Sequence, residues 1–154
     1  MSVAEAPLPS TMAEVRCWAL RSLEDLAGLR AELEAALPGR AGSAGQPDDD
    51  PGPPLIQRIV LVASELATNA LRHGAPPVTV RLLRGDDLAT IDVIDRNPDS
   101  PPLLAGERAP GAGGFGLVLA RRAAHQLGWC RTGPDEKHVW ACFSVTPAAV
   151  VASV

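Results

Sequence analysis

Hydrophobic residues recur along the chain with two different periods, which separate helices from strands. Between residues 22 and 37, leucines recur at spacings of three and four, which predicts an amphipathic helix with Ser22 as a candidate N-cap. The segment 55–73 has the same period and predicts a second helix. Its core-facing side comprises Ile59, Val62, Leu66 and Ala70. Two separate helices, each with one apolar face, therefore precede the middle of the chain.

After residue 74 the pattern changes to short alternating runs typical of strands. Segments 78–83 and 89–95 alternate and are joined by Gly85-Asp86-Asp87, which predicts a β-hairpin. The remaining expected elements are a strand at 15–20, a loop at 96–114, a long helix at 115–127 and a final strand at 139–145.

Length and composition place these elements in one domain. The 154 residues suit a single core, which we assign to residues 13–146. Residues 1–12 and 147–154 are expected to be flexible tails, and the segment 39–54, rich in Gly, Pro and Asp, a flexible insert.

Charge and cysteine content narrow the class of protein. The net charge of −4 provides no basic surface, so neither nucleic acid nor an anionic membrane is expected as the main partner. The three cysteines lack C-x-x-C spacing, which argues against a disulfide framework or a zinc site. No run approaches the roughly 20 apolar residues of a membrane helix. We therefore expect a cytoplasmic protein.

A line of polar residues follows one edge of the second helix. Glu65, Asn69 and His73 are four apart, so they are neighbours on the helix surface. They lie at the margin of the apolar face, where side chains point into a cleft more readily than into bulk water. Each also has a simpler explanation. Glu65 could pair with Arg58 or Arg72, Asn69 could make a packing hydrogen bond, and His73 could favour the negative end of the helix dipole.

Two further motifs follow in order. Asp95 ends a hydrophobic strand, where its carboxylate can accept a hydrogen bond from an amino group or start a turn by bonding its own backbone. The segment 111–116 is rich in glycine and opens the helix expected at 115–127. Glycines at a helix start let backbone N–H groups approach a phosphate, although many such segments are plain hinges.

The three motifs in this order resemble those of the GHKL ATPase and kinase superfamily, which shares the Bergerat nucleotide-binding fold. The segment 64–74, with sequence SELATNALRHG, is similar to the N-box of bacterial anti-sigma-factor serine kinases. The resemblance covers roughly residues 55–145. It implies an α/β (α+β) two-layer sandwich with a mixed, mostly antiparallel sheet.

The resemblance also implies roles for individual residues. Asn69 would be a Mg²⁺ ligand, Glu65 the catalytic base, and Asp95 the acceptor for the adenine amino group. The other residues expected to bind ATP are His73, Asn97, Gly111, Gly113, Gly114, Phe115, Gly116, Leu117 and His138.

Two positions depart from the family pattern. The family has D-x-G-x-G after the strand, whereas this chain has Asp95-Arg-Asn-Pro-Asp99. Asn is the non-glycine residue that best tolerates a left-handed backbone, so Asn97 could preserve the turn. On the last strand, His138 replaces a threonine near the adenine, which puts adenine affinity in question.

The implied activity is transfer of the ATP γ-phosphoryl group, with Mg²⁺, to a serine of an anti-anti-sigma-type (STAS) protein. A sigma factor would be a second partner, and the family resemblance implies a homodimer. One alternative is a non-catalytic module that binds a sigma factor or another regulator. A metal hydrolase would need Glu65 and His73 as ligands, but their spacing of eight differs from the usual i, i+4 arrangement.

Overall fold

The protein folds as one antiparallel sheet with helices packed on one face. The computed structural model describes residues 3–9, 12–37, 54–99, 120 and 122–145. The elements are β1 (Ala13–Leu20), α1 (Leu26–Ala36), α2 (Leu55–His73), β2 (Val78–Arg84), β3 (Leu88–Asp95), β4 (Gln126–Thr132) and β5 (Glu136–Ser144). The strand order is β1-β2-β3-β5-β4, and each neighbouring pair is antiparallel. The expected two-layer α/β fold with a mostly antiparallel sheet is confirmed.

The core lies between the helices and one face of the sheet. Leu29 and Leu33 of α1 and Ile59 and Leu66 of α2 are almost completely buried. They belong to the same apolar cluster as residues of β2, β3 and β5 that alternate along each strand, among them Val80, Leu82, Ile91, Val93, Ala141 and Phe143. Because side chains alternate between the faces of a strand, the other residues of these strands face away from the helices.

Several elements agree closely with the sequence. The helix expected at 55–73 is α2, with the same bounds. The hairpin of β2 and β3 is confirmed, with the N–H of Gly85 donating to the carbonyl of Leu88 at 2.9 Å. The strands expected at 15–20 and 139–145 are β1 and β5, each with slightly different bounds.

The helix expected to reach Leu127 is wrong at its C-terminal end. Ala120, Arg122 and Ala123 are helical, but β4 begins at Gln126 and forms the edge of the sheet beside β5. Gly128 of β4 lies under the Trp140 ring, and a Cβ added at this glycine would lie 2.5 Å from Cζ2 of that ring. The β4 sequence has a glycine where a strand former is usual because the large aromatic side chain occupies that space.

The N-terminal segment, residues 3–9, differs from the expected loose tail. It runs beside β4, where the N–H of Ala6 donates to the carbonyl of Trp129 at 2.8 Å. The indole N–H of Trp129 donates to the carbonyl of Val3, and that of Trp140 donates to the carbonyl of Ala6, both at 3.1 Å. The segment is therefore part of the folded domain. The insert expected at 39–54 and the tail at 147–154 lie outside the described residues, apart from Pro54 at the start of α2.

No helix within the described ranges is both long enough and apolar enough to cross a membrane.

Candidate functional site

The carboxylate of Asp95 is buried at the end of β3, and its two oxygens have different surroundings. The residue is only 1% exposed. Oδ1 accepts a hydrogen bond from the backbone N–H of Asn97 at 2.7 Å. Oδ2 is buried and receives no hydrogen bond from the described part of the chain. Buried polar atoms are nearly always hydrogen-bonded, so this oxygen has the capacity to accept a hydrogen bond from a bound molecule.

The two sequence-based interpretations of Asp95 concern different oxygens of its carboxylate. The bond from Asn97 to Oδ1 is the Asx turn expected of an aspartate at a strand end. The same turn leaves Oδ2 oriented by the fixed carboxylate plane. A turn-forming role and a ligand-binding role therefore do not compete for this side chain.

The end of α2 contacts Asp95 directly. Gly74 follows the last residue of α2, and a Cβ added there would lie 2.6 Å from Cγ of Asp95. Next to it, the N–H of Arg96 donates to the carbonyl of Ala75 at 2.9 Å. These contacts bring the C-terminal end of the polar helix edge and the end of β3 together at one place.

The polar residues of α2 are exposed to different degrees. Glu65 and Asn69 are partly buried, and His73 is exposed in the last turn. The margin of the helix face therefore carries a carboxylate and a carboxamide one turn apart, as the periodicity predicted.

The loop after Asp95 is held in place from β4 and β5. The Nε–H of Arg131 donates to the carbonyl of Pro98 at 2.9 Å. The Arg96 side chain approaches Glu136, with Nε 4.0 Å from Oε2. Asn97 occupies the position where the family has glycine, and its backbone N–H closes the turn on Asp95. The departure from D-x-G is therefore compatible with an ordered turn.

The structure adds Lys137 to the residues around Asp95, a position that none of the sequence motifs indicated. Lys137 is paired with Asp95 in the register of β3 and β5, and it is 4% exposed. Its Nζ lies 3.3 Å from Oδ2 of Asp95. One sequence signal was available, because Lys137 is the only lysine among fourteen basic residues. A lysine is rarely buried without an oppositely charged partner.

The resemblance implied that His138 binds the adenine, but His138 lies on the face of the sheet opposite to Asp95. Its Nδ1 is 3.0 Å from Oδ1 and 2.9 Å from Oδ2 of Asp92. Arg81 donates to the same Oδ2 from Nε and from one terminal nitrogen, at 3.0 and 2.7 Å. Directly opposed residues on neighbouring strands share a face, so Asp95 and Lys137 lie on one face of the sheet. His138 is the next residue along β5 and therefore lies on the opposite face.

Arg81, Asp92 and His138 form a cluster of charged and polar side chains that is separate from Asp95 and Lys137. Burial alone would lower the pKa of Arg81, but the hydrogen bonds and negative charge of Asp92 outweigh burial and raise it. Asp92 is fully buried, so its charge is balanced by partners and not by water. The presence of a histidine at position 138 is therefore explained by its contact with the buried Asp92 on this face of the sheet.

The glycine-rich residues expected to bind phosphate lie outside the described residues. These are Gly111, Gly113, Gly114, Phe115, Gly116 and Leu117. Shortly after them, Ala120 is helical and belongs to the apolar core.

The described residues fit an adenine nucleotide with Mg²⁺. Oδ2 of Asp95 is paired with Lys137 but accepts no hydrogen bond from the described residues, and the 6-amino group of adenine is a donor of the kind it could accept. Asn69 presents a neutral oxygen of the kind that completes a Mg²⁺ shell otherwise made of phosphate oxygens and water. In the described part of the chain, no group of three or more His, Cys, Asp or Glu side chains could hold a metal by itself.

The fold and site together are those of a nucleotide-binding domain of the GHKL class. The model of the histidine kinase-like ATPase domain family matches residues 7–143, and the chain therefore belongs to that family. Membership implies ATP binding, usually with Mg²⁺. No match was found among curated proteins.

Proposed function

We propose that this protein is an ATP-dependent serine/threonine kinase of the anti-sigma-factor type. Its substrate would be a serine of an anti-anti-sigma-type (STAS) protein, and a sigma factor would be its regulated partner. The proposal rests on family membership and on the N-box segment 64–74. The single structural observation that supports it most is that Oδ2 of the buried Asp95, beside the end of that helix, accepts no hydrogen bond from the described residues.

The residues of the chain would divide the work of phosphoryl transfer. Bound ATP and Mg²⁺ supply the phosphoryl group and the charge that screens its oxygens. Asp95 would bind the adenine by accepting a hydrogen bond from the 6-amino group, and the amide oxygen of Asn69 would coordinate the metal. Glu65, one turn away, would accept the proton of the serine hydroxyl as the hydroxyl oxygen bonds to phosphorus and ADP leaves.

Positioning accounts for most of such a reaction, so few groups are needed. Aligning a hydroxyl with a phosphoryl group and stabilising the equatorial charge are the main requirements of phosphoryl transfer. Glu65 is partly buried beside the apolar face of α2, where water competes less for its carboxylate. This position suits a base that must meet a serine delivered by a second protein.

The test is transfer of labelled phosphate from ATP to purified STAS proteins that carry the serine. Wild-type protein should label them, Glu65→Gln should reduce the rate by about 10²–10⁴-fold, and ATP affinity should change little. Glu34→Gln is the matched control, because Glu34 is an exposed carboxylate that belongs to α1 and not to α2. Serine-to-alanine substrates show whether the label is on the expected residue.

The alternative is a binding module with the same fold that does not transfer phosphate. Two departures favoured it, the Asp95 loop and His138. The first is accommodated by the bond from Asn97, and the second concerns the other face of the sheet. If ATP binds and no STAS protein is ever labelled while a sigma factor is still captured, the kinase proposal is wrong and the alternative stands.

A further inference from the structure

Lys137 and Asp95 form a buried pair in which each group offers what the other lacks. Nζ is 3.3 Å from Oδ2, and the two side chains are 5% and 1% exposed. The carboxylate accepts hydrogen bonds only, and the ammonium donates only. Although this distance is short, Oδ2 accepts no hydrogen bond from the described residues. The acceptor Oδ2 and the ammonium donor of Lys137 therefore lie side by side, and Oδ2 can still accept a hydrogen bond.

The choice of lysine at this position is unusual for this chain. The other thirteen basic residues are arginines, so the chain supplies its remaining basic charge without lysine. An ammonium is a compact point charge on a flexible stem, whereas guanidinium is a broad planar group with five donors. A compact donor beside a buried carboxylate suits the edge of a small ring system.

We propose that Lys137 is a second base-reading residue, whose ammonium donates to N1 of the adenine while Oδ2 of Asp95 accepts from the 6-amino group. This inference rests on the proposed nucleotide site. The adenine edge presents a donor, the amino group, next to an acceptor, N1. The pair on the protein presents an acceptor next to a donor, which complements that edge.

The pairing predicts a specific dependence on N1 of the base. A hydrogen bond to a charged group typically contributes about 1.5–3 kcal/mol, which corresponds to about a tenfold to hundredfold change in affinity. ATP in which N1 is replaced by C–H, 1-deaza-ATP, should therefore bind wild-type protein at least about tenfold more weakly than ATP. Replacing N7 in 7-deaza-ATP should have little effect, because neither residue reads that atom.

The test is calorimetric titration of wild-type protein and Lys137→Met with ATP, 1-deaza-ATP and 7-deaza-ATP. In Lys137→Met, ATP and 1-deaza-ATP should bind equally weakly, within about twofold of each other. A purine nucleotide without the 6-amino group should still bind more weakly than ATP, because Asp95 remains. Arg84→Met is the matched control. Arg84 is a basic residue at the turn of the β2–β3 hairpin, whereas Asp95 lies at the other end of the hairpin, so this variant should keep full discrimination at N1.

The ratio of affinities separates base reading from a structural role. If Lys137 only stabilises the fold, Lys137→Met weakens all nucleotides together and keeps the preference for ATP over 1-deaza-ATP, which overturns the inference. Should the variant not fold, equal binding of ATP and 1-deaza-ATP by wild-type protein overturns it equally. Absence of ATP binding in wild-type protein would instead refute the proposed nucleotide site itself.

Discussion

Gly74 and Asp95 are in direct contact where α2 and β3 end, and this contact joins the helix edge to the buried carboxylate. A methyl group at Gly74 would lie 2.6 Å from Cγ of Asp95 and 2.7 Å from the carbonyl oxygen of Ala70. One neighbour is a fully buried side chain, and the other is helix backbone. Neither can move without disturbing the site.

Gly74→Ala should therefore impair both stability and nucleotide binding. We expect a loss of about 1–3 kcal/mol in the free energy of unfolding, since overpacking a tight site displaces its neighbours. ATP affinity should fall by about tenfold or more if Asp95 is displaced. Urea unfolding and ATP titration measure the two effects.

Gly28→Ala is the matched control for this prediction. Gly28 lies within α1, and an added Cβ there would meet nothing within 4 Å. This variant should be neutral or more stable by up to about 1 kcal/mol, because alanine favours the helix. Equal behaviour of the two glycine variants would show that the Gly74 contact is not restrictive.

Substitution of His138 should separate stability from nucleotide binding. His138→Ala removes one partner of the buried Asp92, so the free energy of unfolding should fall by about 1–3 kcal/mol. ATP affinity should stay within about twofold of wild type, because His138 and Asp95 lie on opposite faces of the sheet. Chemical denaturation and calorimetric titration provide the two readouts.

Asp92→Ala and the double variant complete a thermodynamic cycle. A coupling of about 0.5–3 kcal/mol between Asp92 and His138 is expected for residues in one hydrogen-bonded network. A strong loss of ATP affinity in His138→Ala with unchanged stability would return His138 to the nucleotide site.

Removal of the N-terminal segment should destabilise the domain. A chain that begins at residue 10 lacks the carbonyls of Val3 and Ala6, which accept the indole N–H groups of Trp129 and Trp140. Both indoles would lose these acceptors and become more exposed to water, and since each hydrogen bond contributes about 0.5–1.5 kcal/mol, we expect the free energy of unfolding to fall by about 1–3 kcal/mol. Urea unfolding and a red shift of tryptophan fluorescence would report it. A loose tail would produce neither change, and the exposed substitution Glu5→Gln is the control.

The start of the first helix should weaken at acid pH. Backbone N–H groups of Arg21 and Ser22 donate to Oδ2 of Asp25 at 2.8 and 3.2 Å, and they hold the pKa of Asp25 below its ordinary value of 3.8. A carboxyl group whose pKa is lower in the folded state than in the unfolded state stabilises the protein, and this stabilisation is complete above the unfolded pKa. That stabilisation is lost as pH falls through the lower folded pKa.

Asp25→Ala should therefore be less stable than wild type above pH 3.8, and the difference should shrink as pH falls below that value. Thermal unfolding of both proteins across this range measures the difference. Glu24→Ala, in the same turn, is the control. A difference that grows on acidification would contradict the assignment of Asp25 as the acceptor.

Local patterns in the sequence were sufficient for the elements that contain most of the site. The apolar period of 55–73 fixed α2 and placed Glu65 and Asn69 at the margin of its buried face. Alternation and a Gly/Asp turn fixed the hairpin, and the end of its second strand located Asp95. These features depend on residues a few positions apart, so side-chain spacing and turn chemistry carry the information.

Only the tertiary structure decided which side chains share a face and what covers the sheet. Lys137 and His138 are adjacent in sequence, yet one faces Asp95 and the other Asp92, because the register of β3 and β5 sets the faces and a shift of one residue would exchange them. The strand β4 depends on the contact between Gly128 and Trp140. The N-terminal segment depends on the hydrogen bond between Val3 and Trp129, which are more than a hundred residues apart in the sequence. The sequence by itself thus determined the helix edge and the position of Asp95. Long-range pairing determined that Asp95 has a lysine beside it, because register is a property of two strands and not of either alone.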